Sequence, residues 1–457
     1  MDAIAAFAEH VAERSYRDLP DAAVNAAKTF ILDTLGVGLV GSSGPKAHEL
    51  ARIQSLWGSG DDARVWSTGE RLPAPAAAFC NAYQVHNAEF DCVHEAAVAH
   101  VMTVVLPVAL AGAERMAKIE GRPIDGRRLI EAVVLGVDVA ASLGLAATSG
   151  LRFFRPATVG AFGACAALGK LMGFDACRLR HAFAIVYGQL CGNMQAHAEG
   201  SLLLAMQMGF NARNAIVACD LARLGFEGPA NILEGPFGYF RLIESSGDPR
   251  RVAGDLGRVW RITEIAHKPF PSGRATHGII DACLELRRRH GLSAADIAGV
   301  KAYVPPLVHH LVGRPPSMEM QINYARLCAS YVAARVLLRG TVELSDFNDA
   351  AYADPATLDL AKRISIEVRD TGDPNALTPV AVEVTLKTGA RHIARIDIVH
   401  GNPARPMTRD EHVAKFLANA AAAARPVQRE QAETLVALVD GLEEIDDVTG
   451  IVDHLIG

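Results

Sequence analysis
Aromatic side chains are scarce in this chain, 6% of 457 residues against a hydrophobic share of 50%. A core with so little ring volume has to be filled by Ala, Leu and Val, which suits closely approaching helices better than a β-sandwich. Basic residues form no tail or stripe and the formal net charge is −6, so nucleic acid is not an expected partner. None of the eight cysteines stands in a CxxC pair, which removes the usual spacing of a zinc cage or a redox dithiol. P-loop, HExxH and strand–GxGxxG–helix patterns are missing as well, so neither a metal nor an organic cofactor is expected. No uninterrupted apolar run reaches about eighteen residues, and the opening stretch carries Asp2 and Glu9 in place of a signal-peptide core. A soluble, cytoplasmic chain without membrane contact is the expectation.

What the sequence does have is alanine, glycine and helical periodicity. Ile4, Phe7, Ala8 and Val11 share one helical face, and a second helix starts after Asp18-Leu-Pro-Asp21 with Phe30, Ile31 and Leu35 turned inward. Apolar helices follow at about 46–57, 73–86, 101–117, 126–147 and 156–174, and 181–229 reads as two long helices around Glu199-Gly200. Arg152 and Arg155 stand ahead of a helix start, where a cation opposes the dipole unless an anion is bound there too. They are read either as a carboxylate site or as solvated surface arginines. The grammar changes near residue 266. An amphipathic helix at 277–291, strands at 300–304 and 364–368, a helix over 324–339 and a hairpin over 380–401 then mix in one region. The fold class expected is mainly α: a large helical domain from 1–266 and 399–457, with a smaller α+β domain, 267–398, inserted before the C-terminal helices.

Two clusters carry chemistry. HNAEFDCVHEAAVAHVMTVVLP, residues 86–107, brings together histidines and carboxylates ahead of an apolar helix. Such groups at the mouth of a buried helix suit proton transfer, although acids at a helix start also simply complement its dipole. Cys92 lies among them, and neighbouring carboxylates oppose its ionisation rather than activate it. HKPFPSGRATH, residues 267–277, supplies a lysine, an arginine and two histidines in a stiff, proline-bearing segment.

DTLGVGLVG, HNAEFD…H…VLPVALA, PATVGAFGACAALGKLMG, ARNAIVACDLARLGFEGP, KPFPSGRATHGIID, ARLCASYVAARVLLRG and HGNPARPMT…KF occur in the order found in the MmgE/PrpD family, which the chain resembles over nearly its whole length. The resemblance implies a helical domain made from both chain ends, an α+β lid, a homodimer, and cofactor-free chemistry on small polycarboxylates. Family activities include 2-methylcitrate dehydration, cis-aconitate decarboxylation and iminodisuccinate epimerisation. Departures from the dehydratase and decarboxylase pattern are also plain. Cys92 stands in the last acidic place of an HALDFDD-like element, Leu204 and Gln207 take the places of a lysine and a histidine, and Arg155-Pro156-Ala157 replaces His-Pro-Thr.

These reactions share one difficulty, a carbanion formed beside a carboxylate, and the site must supply cations and donors where that charge develops. An epimerase needs only a base and an acid on opposite faces of one carbon, whereas a dehydratase also needs an acid for the departing hydroxide. The expected bases are His100 and Lys268. The expected substrate-binding set is Glu89, Asp91, His94, Arg155, Arg274, His277 and Tyr331. On this reading the chain is an isomerase that epimerises iminodisuccinate or a similar dicarboxylate, the alternatives being a 2-methylcitrate dehydratase-like lyase and an inactive family member.

Overall fold
The computed structural model describes residues 2–457. The chain forms two compact units, one holding the chain up to Met194 together with Leu203–Ile265 and Thr408–Gly457, the other Gln195–Leu202 and Ala266–Met407. Helices dominate, and strands are confined to one two-stranded and one four-stranded sheet among the described residues.

The first unit contains α1 (Ile4–Glu13), α2 (Asp21–Gly41), α3 (Ala47–Trp57), the short antiparallel pair β1 (Ala63–Arg64) and β2 (Arg71–Leu72), and α4 (Ala74–Asn87). It continues with α5 (Met102–Glu120), α6 (Gly126–Ala146), α7 (Arg155–Leu171) and α8 (Ala176–Tyr187). After α9 (Gln195–Glu199), which belongs to the other unit, α10 (Leu203–Arg223) returns to it. Asp125 and Asp175 start α6 and α8 by accepting the N–H of Arg128 and Arg178. At the centre, α7 packs on α5, α6 and α10, and α10 packs on α4.

Small residues make that packing work. A Cβ added at Gly163 would lie 2.5 Å from the carbonyl oxygen of Gly136, so α6 and α7 touch backbone to backbone. Gly41 meets the Gln84 carbonyl of α4 in the same way, a Cβ there falling 1.7 Å from the oxygen. Helices Asp21–Gly41 and Gly126–Ala146 are long and apolar enough to cross a membrane by length and composition, although no unbroken apolar run signalled it. In the fold 78% and 89% of their most apolar windows are buried inside the protein.

The 181–229 region departs from the expected helix pair. The first helix ends at Tyr187, and Gly188 to Met194 form a loop. Two glycines weaken helix propagation there, and Gly192 takes φ +142°, outside the helical range. Polar side chains on α10 then hold the loop: Asn211 and Asn214 donate to the carbonyls of Cys191 and Gln189 at 2.9 and 2.8 Å.

In the second unit the sheet order is β4 (Ile364–Val368), β3 (Ile297–Val304), β5 (Val380–Leu386), β6 (Arg391–Ile396), with β3 parallel to β4 and antiparallel to β5. Val380, Val382 and Val384 are buried, as their alternation requires, and Gly389 turns the hairpin at φ +90°. The helix Arg274–His290 packs on β5, on β6 and on the helix Ala329–Arg339. The expected single helix over 324–339 is two, Ile322–Arg326 and Ala329–Arg339. Cys328 is extended at the break, and the Arg326 carbonyl accepts the N–H of Gly273 at 3.0 Å instead of continuing a helix.

Candidate active site
Residues 88–101 form an irregular segment between α4 and α5, and it is organised around one carboxylate oxygen. Asp91 Oδ2 lies 2.9 Å from His86 Nδ1 at the end of α4, 2.6 Å from the Thr103 hydroxyl in the first turn of α5, and 3.2 Å from His100 Nδ1. Asp91 and His86 are buried, while the His100 side chain keeps 14% of its surface exposed. His100 Nδ1 also lies 3.0 Å from the Cys92 carbonyl, an acceptor only, so Nδ1 carries a proton and, in the neutral ring, the lone pair is on Nε2. That is the arrangement of an oriented base: an anion behind the ring fixes its tautomer and stabilises the imidazolium once a proton arrives.

The rest of the segment is a local scaffold. His94 Nδ1 accepts the N–H of Ala97 at 3.2 Å and its Nε2 faces Glu264 at 3.1 Å, so both ring nitrogens are engaged within the first unit. This bond, ahead of opposing burial, holds the Glu264 carboxyl below its ordinary range. His94 and Ala99 pair as a tight turn, and Val98 inside it adopts φ +50°. A β-branched residue in the left-handed region costs about 1–3 kcal/mol, and Glu89 at φ +52° adds a second unusual backbone position to the same segment. Strain concentrated beside an oriented histidine is the pattern of a working site. The Cys92 thiol is fully buried and pushed well above its usual range by desolvation, then by Asp33 and Asp91; it is no nucleophile.

A residue from the far end of the chain completes the scaffold. Lys415, on the helix Arg409–Ala421, pairs with the buried Asp33 of α2 at 2.7 Å and donates to the Phe90 carbonyl at 3.0 Å. Its ammonium also sits 4.0 Å from the centre of the Phe90 ring. Neither Lys415 nor Thr103 was singled out from sequence. Thr103 is visible afterwards as the hydroxyl three residues past His100, whereas Lys415 carries only a family-like KF dipeptide as a signal.

Arg155 is placed differently from a carboxylate clamp waiting for substrate. It is fully buried, and its Nε and Nη2 grip the two oxygens of Glu244 at 2.9 and 2.8 Å. Its remaining donors reach the Ser149 and Ala97 carbonyls, and Tyr239 donates to the same glutamate at 3.1 Å. The anion at this helix start, inferred from the dipole argument, is thus an internal glutamate. Gln207 is similarly occupied, accepting the Asn193 N–H at 2.6 Å, and Leu204 is buried.

In the second unit Arg274 and His277 are bonded to each other and to backbone carbonyls. Arg274 donates to the carbonyls of His400 and His267 at 2.7 and 3.1 Å, and to His277 Nδ1 at 3.3 Å. His277 Nε2 lies 3.2 Å from the Ser272 carbonyl, which fixes that ring as a neutral Nε2–H tautomer with both nitrogens used. Lys268 is fully buried. Tyr331 is buried too and donates to the Asp346 carbonyl at 2.5 Å, in a cluster with Arg335 and Tyr352. Glu89, 4% exposed, approaches His86 Nε2 at 3.6 Å. Of the residues expected from sequence, Asp91 and His100 meet directly with Glu89 one residue pair away, His94 buttresses their loop, and Arg155 and Tyr331 are internal supports.

Family models for the MmgE/PrpD N-terminal domain and the MmgE/PrpD C-terminal domain match residues 5–251 and 270–440. The chain belongs to the MmgE/PrpD family. Among its relatives, the cis-aconitate decarboxylase of Mus musculus is 29% identical over 444 residues, covering 94% of this chain and 88% of that protein. The cis-aconitate decarboxylase of Homo sapiens is 27% identical over 457 residues, 96% and 91% of the two chains. That of Aspergillus terreus (strain NIH 2624 / FGSC A1156) is 25% identical over 449 residues, 94% and 91%. These relatives are decarboxylases, not epimerases, and they shift the weight from the isomerase reading to the lyase reading.

Proposed function
We propose that this MmgE/PrpD protein is a cofactor-independent lyase acting at a carbon beside a carboxylate of a small polycarboxylate, with cis-aconitate the first substrate to try. The observation that supports it most is the Asp91–His100 pair, with its fixed tautomer and partial exposure, in a chain whose relatives along nearly its full length are cis-aconitate decarboxylases. In a decarboxylation the C–C bond to the leaving carboxylate breaks and its electron pair stays on carbon. His100, entering as the imidazolium that Asp91 stabilises, gives its Nε2 proton to that carbon and is recharged from solvent.

A second reading, epimerisation of an imino- or amino-dicarboxylate, is favoured by Leu204 and Gln207. Where the family's dehydratases and decarboxylases carry a lysine and a histidine, this chain has a buried hydrocarbon and an amide bonded to a loop. Removing an acid from the site costs an epimerase less than a lyase. Lys268 remains the expected second base, with Arg274 and His277 beside it in sequence.

One experiment separates the readings. The protein is incubated in D2O with cis-aconitate, citrate, 2-methylcitrate, malate and both iminodisuccinate isomers, and products are followed by NMR. Loss of carbon dioxide with one deuteron in the product supports the lyase. Exchange or inversion at the α-carbon without elimination establishes the epimerase. A folded protein that exchanges none of them overturns both, leaving a binding role.

A further inference from the structure
We propose that His86, Asp91 and His100 also form a capture site for a divalent transition ion of the zinc type, and that an ion held there shuts the site down. Two imidazoles and one carboxylate are the donor set such ions prefer. One ligand atom from each residue lies within 4.8 Å of the other two. An ion sits about 2.0–2.2 Å from nitrogen and oxygen ligands, so neighbouring ligands are roughly 3–3.5 Å apart. The separations from Asp91 Oδ2 to His86 Nδ1 and His100 Nδ1, 2.9 and 3.2 Å, already have that size. The ligand atoms of the two imidazoles lie within 4.8 Å of each other, near enough to close on one ion.

The surroundings supply what holds such a ligand set in place. Thr103 steadies the carboxylate at 2.6 Å, and His86 is fixed at the end of a buried helix. Binding at Nδ1 moves each neutral imidazole's proton to Nε2, so no proton is released. On His86 that places an N–H toward Glu89, whose Oε1 is 3.6 Å away, the carboxylate–histidine–metal relay that orients ligands in zinc sites. On His100 the same shift gives up the bond to the Cys92 carbonyl and puts a proton on Nε2, the atom that has to exchange one with substrate. With an ion on Nδ1 the ring cannot become the imidazolium that Asp91 would stabilise, so capture removes the proton donor. The blocking half of the proposal rests on the reading of His100 given above; the binding half does not.

The test uses the full chain, stripped with EDTA and desalted, and titrated with Co2+ while visible absorption is followed. Zn2+ is then measured by competition with a chromophoric chelator. One exposed rival is removed in a control, since Cys177 and His181 on α8 lie 3.8 Å apart at the surface. The expected result is one ion per chain, unchanged in His181→Gln, and weakened at least about 10-fold in Glu89→Gln and more in His86→Gln and Asp91→Asn. Circular dichroism shows that each variant is folded. Where the D2O assay finds turnover, Zn2+ inhibits and EDTA restores it. Binding that survives Asp91→Asn and His86→Gln in folded protein, or that is lost in His181→Gln, overturns the proposal. So does turnover stimulated by Zn2+. If the protein binds Co2+ through these residues yet turns over no polycarboxylate, the capture site stands and the lyase reading falls.

Discussion
The segments 88–101 and 266–277 hold the same kinds of residue and use them in opposite ways. In the first, Asp91 gathers His100 and, from the helix ends on either side, His86 and Thr103, and the His100 ring keeps a partly exposed edge. In the second, Arg274 and His277 bond to each other and to backbone carbonyls, so their charge and donors stabilise a chain path. A titratable residue is chemically available when its partners fix one atom and leave another. On His277 the partners hold both ring nitrogens, and the side chain is engaged in holding the chain path.

Four measurements press on that contrast, beginning with the largest effect. His100→Ala is expected to lower kcat by roughly 10²–10⁴ with near-wild-type unfolding, and Asp91→Asn to come close to it by releasing the wrong tautomer. His277→Gln, by contrast, should move stability more than kcat, and a reversed ranking would break the distinction. Next comes Lys415→Met, which leaves Asp33 without its lysine and costs about 3–5 kcal/mol in denaturant unfolding. The pair Asp33→Asn with Lys415→Met should recover much of this, while kcat stays low because Phe90 has lost its anchor. Arg155→Met should be destabilising by about 3 kcal/mol for the same reason, the Glu244 carboxylate being left buried. A KM unchanged in an Arg155→Met, Glu244→Gln double variant fits an internal pair, whereas a large rise in KM would return Arg155 to substrate binding.

The smallest effect is a pH dependence. Glu264 is held below its ordinary value of 4.5 chiefly by His94, so it contributes stability above that pH and loses it as pH falls through the depressed folded value. Glu264→Gln should therefore lower Tm at neutral pH, and the difference from wild type should close below pH 4.5. A gap that persists in acid would show that the His94 turn does not depend on this charge.

Much of this was legible in the chain. Alanine-rich 3.6-residue periodicity marks the helices, alternating valines mark β5, and Asp125 marks the start of α6, because each is a local effect with a local residue. The loop after Tyr187 was not legible, since its cause is the amide side chains of Asn211 and Asn214 on a helix formed later in the chain. His100 stood out by its neighbours. Whether Arg155 faces a ligand or a protein anion could not be read, because Glu244 is 89 positions away and nothing local announces the pairing. The preference for an isomerase came from missing acids, and the decarboxylase relatives weigh against it.

The Lys415 anchor has a consequence for the timing of synthesis. Phe90 emerges 325 residues before the lysine that holds its carbonyl. At the usual 5–20 residues per second, roughly 15–65 s separate the two on the ribosome. During that interval the segment bearing Asp91 and His100 has its helices but not its clamp, and a chain released early would carry every catalytic atom proposed here without the fastening that sets their spacing. Activity should therefore appear only after the Arg409–Ala421 helix has docked, which makes it a reporter of completed folding rather than of translation.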